Sequence, residues 1–363
     1  MLNLLEKKEV KIVPLKVGIP FSEKLTMVES LSIMLESGIP ILEALDSIKE
    51  DSTHPTAKRV VAAIADSVQR GSTLAESFSA FPKIFDDIFV NTVKAGEDSG
   101  SLDKVLTDIT ESMKQNEELK SDIRGAMFYP AIVLFFLAIY LVLMFAFVLP
   151  RIVAVFNKLN VPKTLPTQIL ISTTLFVNKY YLILTAAAIL SLAIFLFLIS
   201  KKEIRASVVG VFFKLPLFGS LLKYLDISSF SRTLSLLLSA GIPIIRAVET
   251  STQVVINKKT KEALSQITHK LTEGKTLAES MKDYSSFPTL MTRIVSTGEK
   301  TGKLDEVLAE IATHYHMKLR RQVKQLSTLL EPVLIIVVGI IMGLVVIVII
   351  SSIYQLIGQV RPR

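Results

Sequence analysis

Three stretches of this chain, 125–150, 180–200 and 332–360, hold no charged side chain over lengths of about 20 residues or more, enough for a helix to cross roughly 30 Å of hydrocarbon. In that solvent each backbone N–H and C=O must find its partner inside the segment, and the helix is the one open element that provides this. Buried helices of a large soluble core seldom extend so far without a charge, so the sequence predicts three transmembrane helices. The last is densest over 333–350. They account for a composition that is half hydrophobic yet only 7% aromatic, with no Trp. Glu6, Lys7, Lys8, Glu9 and Lys11 interrupt any apolar core of a signal peptide, so targeting is expected to fall to the first span.

The polar regions between these runs repeat one another. Leu35-Glu36-Ser37-Gly38-Ile39-Pro40 returns 203 residues later as Leu238-Ser239-Ala240-Gly241-Ile242-Pro243. Gly71-Ser72-Thr73-Leu74-Ala75-Glu76-Ser77 returns at the same offset of 203 as Gly274-Lys275-Thr276-Leu277-Ala278-Glu279-Ser280. Gly96-Glu97-Asp98-Ser99-Gly100 returns 202 residues on as Gly298-Glu299-Lys300-Thr301-Gly302, and Pro130 matches Pro332. Four motifs in register define a duplicated unit of soluble domain plus span.

The residue types in these motifs are those that punctuate helices. Val60, Val61, Ile64 and Val68 form an apolar stripe at helical spacing, as do Leu264, Ile267 and Leu271. Gly71 and Gly274 follow as C′ residues, and Thr73 with Glu76, or Thr276 with Glu279, spells a capping box that starts the next helix. Gly38 with Pro40, and Gly241 with Pro243, end one helix and open another. Gly96-Glu97 and Gly298-Glu299 are read as a third corner. Each copy therefore holds six short helices, near 22–36, 40–50, 55–70, 73–79, 83–95 and 101–123, with counterparts at 226–239, 243–253, 258–272, 276–283, 288–297 and 303–328. No segment outside the spans has a strand pattern. The sixth helix of each copy meets its span at Pro130 or Pro332, where a missing N–H is expected to bend or loosen the join.

These readings combine into an all-α polytopic membrane protein with two homologous six-helix cytoplasmic bundles and three transmembrane helices. A tail over 1–20 precedes the first bundle at 21–124; spans at 125–150 and 180–200 flank an extracytoplasmic loop at 151–179. The second bundle covers 201–331, the third span 332–352 and an extracytoplasmic tail 353–363. Two crossings between the bundles put both on one face. Near the span ends the bundle side carries eleven basic residues, among them Lys120, Arg124, Lys201, Arg320 and Lys324, against six on the other, which favours cytoplasmic bundles.

Candidate chemistry is sparse. The chain has no cysteine, hence no disulfide, thiolate nucleophile or cysteine-type zinc site. Gly274-Lys275-Thr276 resembles the end of a phosphate loop, but His269 stands where that motif needs glycine and a helix precedes it where a strand is required. His54, His269, His314 and His316 have no ligand spacing and read as surface residues. Acid pairs such as Asp86-Asp87 and Glu97-Asp98 suit helix starts. No catalytic, cofactor-binding or metal site is expected. The formal charge of +8 fits soluble faces near anionic lipid rather than nucleic acid. Gly339 and Gly343 form a small-residue pair suited to close helix packing, and Glu331 precedes the third span, a place for a polar contact to a neighbouring helix or partner.

The residues that follow the second span, Leu215-Pro216-Leu217-Phe218-Gly219, Phe230-Ser231-Arg232-Thr233-Leu234 and Leu238 to Pro243, resemble the opening of the second domain in the type II secretion F protein family, which includes type IV pilus platform proteins. The Gly-Glu pairs and the Tyr129-Pro130 and Glu331-Pro332 junctions are similar as well, so the resemblance covers about residues 20–355. It implies an inner-membrane platform of a secretion, pilus or competence machine that works with a cytoplasmic assembly ATPase, other inner-membrane assembly proteins and pilin-like subunits, with no catalysis of its own. It departs in having only about 20 residues before Phe21. A homo-oligomer, with a dimer favoured, suits the Gly339/Gly343 face. A transporter is the rival reading, since internal repeats are common there, but transporters repeat their spans and bury ionisable groups in them.

Overall fold

The two repeats fold as helices whose ends fall at the punctuating residues. The structure, a computed structural model, describes residues 18–159, 171–181 and 216–360 with the isolated positions 168, 183 and 190. The first repeat forms α1 (Phe21–Glu36), α2 (Ile41–Asp51), α3 (Pro55–Gln69), α4 (Leu74–Ser79), α5 (Asp87–Ser99) and α6 (Leu102–Leu143). A π-helical turn, Met144–Val148, joins α6 to α7 (Leu149–Leu159). The second repeat forms α8 (Pro216–Ser239), α9 (Ile244–Ser251) with a 3₁₀ turn at Thr252–Val254, α10 (Lys258–Thr272), α11 (Leu277–Lys282), α12 (Thr289–Thr301) and α13 (Leu304–Val360). Among the described residues there is no strand. The run at 180–200 lies almost wholly outside them.

Helix ends show why the motifs recur. After α3 the chain turns at Gly71, φ 93°, with Ser72 N–H donating to Ser67 C=O at 3.2 Å; after α10, Gly274 at φ 88° lets Lys275 N–H reach Lys270 C=O at 3.1 Å. This is the left-handed helix stop that a side chain would strain. Pro40 and Pro243 stand at the N-cap positions of α2 and α9. Two boundaries differ from expectation. α5 and α12 do not end before Gly96 and Gly298 but run through them, and the left-handed caps are Gly100 and Gly302. The helices also continue through Pro130 and Pro332 without ending; neighbouring donors and small local adjustments absorb a proline in a membrane-type helix.

The described residues up to Leu119 together with Ser220–Leu319 make one compact unit, and the remaining described residues a second. In the first unit each repeat closes on its own core. Phe78, Phe85 and Phe89 meet with ring centroids 4.4–5.2 Å apart, in the tilted and edge-on geometries that aromatic rings favour. Lys24 Nζ lies 4.7 Å from the Phe89 ring centre; burial pushes its pKa down, and Asp86 opposes the shift. In the second repeat the equivalent positions are Met281, Phe287 and Met291, all buried.

The long helices are joined by side-chain contacts. α1 joins α6 through Ser32 and Thr107 at 2.9 Å and Lys114 with Glu29 at 2.6 Å. α6 meets α8 through Arg232, which donates to Gln115, and Ser239, which donates to Asp108 at 3.3 Å, while Ala240 enters the first core and Leu236 packs against it. α8 joins α13 through Ser228, donating to Ala312 C=O at 2.9 Å, and Ser235, donating to Asp305 C=O at 2.7 Å.

In the second unit, two helices are long and apolar enough to cross a membrane, within Leu102–Ala154 and Leu304–Ser351. Phe128, Phe135, Phe136, Ile336 and Ile347 are each about 60% exposed or more. Contiguous apolar surface on this scale calls for a partner or lipid rather than water. Arg320 Nε donates to Asp122 at 2.6 Å, tying the two helices together where the unit begins.

Candidate functional site

The recurrent Gly-Glu pair is a structural joint. Glu97, on α5, accepts from Leu74 N–H at 2.6 Å and Ala75 N–H at 2.8 Å, the free donors at the start of α4. Glu299, on α12, accepts from Leu277 N–H at 2.5 Å and Ala278 N–H at 2.9 Å at the start of α11. Each carboxylate thus closes a helix N-terminus about 22 residues upstream, where unsatisfied donors and the helix dipole both favour negative charge. Thr73 and Glu76 complete a reciprocal capping box on the same turn, and Thr276 accepts from Glu279 N–H at 3.2 Å. The neighbouring glycine serves a different need. A Cβ on Gly96 would stand 3.0 Å from Val105, and one on Gly298 would overlap the Val307 side chain, so these glycines let the last turn of α5 or α12 cross the first turn of α6 or α13.

Sequence reasoning missed Asp226. Its side chain is 1% exposed on α8 and accepts from Ile256 N–H at 2.8 Å and Asn257 N–H at 3.0 Å. Burial pushes its carboxyl above the ordinary range, against the two backbone donors that pull it down. Nothing in a single Asp within an apolar helix signals such a role, and the first copy has Glu23 there. The folded state therefore holds the proton more tightly than the unfolded one. The stability from this group is fully present below about pH 4 and is lost as pH rises through the shifted value. Asp226→Asn should flatten that part of the pH dependence in melts of the full chain, whereas Asp226→Ala, leaving two donors unmatched, should lose about 1–3 kcal/mol.

The histidines depart from a simple surface reading. His54 caps α3, its Nδ1 accepting from Ala57 N–H at 3.3 Å, and His316 is buried, whereas His269 pairs with Glu273 at 3.2 Å in solvent. Lys275 and Thr276, the phosphate-loop lookalike, lie at the α10 to α11 turn with the Thr276 hydroxyl engaged as a cap. Among the described residues no three His, Cys, Asp or Glu side chains group as metal ligands. Glu331 is exposed, and a Cβ on Gly339 or Gly343 would meet open space, so among the described residues no helix of this chain packs on that face.

A concavity of about 470 Å³ lies where α6, α8 and α13 meet and is lined by Lys104, Asp108, Glu111, Arg232, Asp305 and Glu306 among others. Burial raises the Asp108 carboxyl pKa, with Asp305 adding to the shift, and lowers that of the Arg232 guanidinium. Its charges are mixed and lean acidic, and within it the Ser239 hydroxyl donates to Asp108. It can hold one bundle against the other through hydrogen bonds and ion contacts.

Paired helical bundles, each feeding a long apolar helix, define a class of duplicated membrane-associated scaffold. The chain belongs to the family of type II secretion system protein F, whose model matches it twice, over residues 27–150 and 230–351. Each match takes in one bundle and the apolar helix that continues it. The type IV pilus assembly protein PilC of Myxococcus xanthus is 27% identical over 350 residues, covering 95% of this chain and 82% of that protein. PilC of Pseudomonas aeruginosa is 29% identical over 331 residues, covering 90% and 87%. Type II secretion system protein F of Vibrio cholerae is 27% identical over 320 residues, covering 88% and 79%.

Proposed function

We propose that this protein is a non-catalytic platform in the bacterial inner membrane, coupling a cytoplasmic assembly ATPase to the insertion of pilin-like subunits into a type IV pilus or type II secretion filament. The observation that carries this reading is the continuity of α6 and α13, each of which starts in a bundle core and runs unbroken into an apolar stretch. A helix of this kind is stiff along its axis, so force applied to the bundle reaches its membrane end. Both bundles face the cytoplasm. Three spans, at 125–150, 180–200 and 332–352, cross the bilayer, and an extracytoplasmic loop and tail lie opposite the bundles. Its partners are the ATPase, other assembly proteins and the pilins, with the Gly339/Gly343 face meeting another membrane helix.

Deletion of the chain in its native host is expected to abolish filaments, with restoration by the intact gene. Detergent-solubilised membranes should yield the assembly ATPase with the tagged chain. Filaments that persist after deletion, or repeated purification without ATPase, contradict the reading.

A further inference from the structure

The bundles meet at α6 against α8, and the repeat supplies both halves of a second such joint. At 203 residues before Leu236, which packs against the first core, stands Ile33, 56% exposed. Ser37, the counterpart of buried Ala240, is exposed too. On the other side of the joint, Asp108, Ser112 and Gln115 of α6 are partly covered, whereas their counterparts Glu310, His314 and Met317 on α13 are exposed, Met317 by 45%. The outer edge of α1 is thus a free copy of the α8 surface, and the outer edge of α13 a free copy of the α6 surface. Both edges are exposed, so neither covers the other within one chain.

We infer that these edges join between chains: the α1 edge of one copy docks on the α13 edge of a second copy, repeating head to tail the joint that α8 makes with α6. Ile33 enters the place that Leu236 fills within the chain, and Glu29 comes to Met317 as Arg232 comes to Gln115. One substitution sets the two joints apart. Ser239 donates to Asp108 within the chain, but its counterpart Glu36 faces Glu310, a like-charge pair that weakens the contact. The joint between chains is therefore the looser one, suited to reversible assembly, and the repeat names the change that tightens it: Glu36→Ser.

The chain has no cysteine, so engineered pairs report directly on full-length protein in its own membranes. Glu29→Cys with Met317→Cys should form a covalent dimer on mild oxidation, and each single variant should not. Arg232→Cys with Gln115→Cys should close within the chain and confirm that oxidation is complete. Adding Glu36→Ser to the first pair should raise the dimer yield severalfold, and adding Ile33→Asp should abolish it; removal of the solvent-exposed Glu29 to Lys114 ion pair alters stability little. The inference is overturned if the control pair closes while the Glu29/Met317 pair gives no dimer, if Glu29→Cys alone gives one by pairing α1 with α1, or if Glu36→Ser lowers the yield.

Discussion

Glu299→Ala should destabilise the second bundle by about 2–4 kcal/mol, although the substitution removes no core side chain. The carboxylate accepts from two backbone donors at the start of α11, and alanine leaves both without a partner in a half-buried turn. A hydrogen bond to a charged group contributes about 1.5–3 kcal/mol, and partial access of water reduces the sum. Glu299→Gln, which keeps one good acceptor and loses the charge, should lose less than half as much. Hydrogen exchange resolves the effect from global unfolding: the Leu277 and Ala278 amides should lose protection in Glu299→Ala while the Leu74 and Ala75 amides, held by Glu97, keep theirs. A change below about 0.5 kcal/mol, the range of ordinary surface substitutions, would show that the joint carries no weight.

Phe78→Ala should cost more, about 3–5 kcal/mol. Phe78 is fully buried, with Phe85 at 4.4 Å and Phe89 at 5.2 Å between ring centroids, so truncation opens a cavity between α4 and α5 that the rigid rings around it cannot fill. The second copy supplies its own control, since Met281 occupies the equivalent position and is equally buried. Phe78→Met should therefore cost less than about 1.5 kcal/mol, the flexible thioether adapting to the same space. Chemical denaturation of the full chain in detergent, followed through the first bundle, distinguishes the two. Equal losses from Ala and Met would mean that ring stacking, rather than filled volume, holds this core.

Much of this architecture is legible in the amino-acid sequence. The apolar stripe of α3, the Gly71 stop and the Thr73 start are local signals, because capping and periodicity depend on neighbours within a few residues. The same locality explains the misplaced ends of α5 and α12. Gly96 looks like a helix stop in sequence, but its lack of a side chain answers to Val105 across a helix crossing, and the stop is the next glycine, Gly100. A long-range need wrote the same letter as a local one. Glu97 stands out as part of a motif, yet its job is invisible in the sequence, since its partners lie 22 and 23 residues away on α4. Asp226 carries no sequence signal at all. The free edges at Ile33 and Met317 emerge only when the repeat, which the sequence displays, is laid over burial, which it does not.

A platform built by duplicating a bundle with its membrane helix has both bundles on one face of the bilayer. With no native cysteine to remove, single exposed cysteines at the equivalent positions Gln69 and Thr272 can be probed with a membrane-impermeant maleimide. Both should stay unlabelled in intact spheroplasts and both react once the membrane is permeabilised. Labelling of one from outside while the other remains protected would put the two copies on opposite faces and contradict the duplication of a bundle together with its membrane helix; labelling of both would turn the platform inside out.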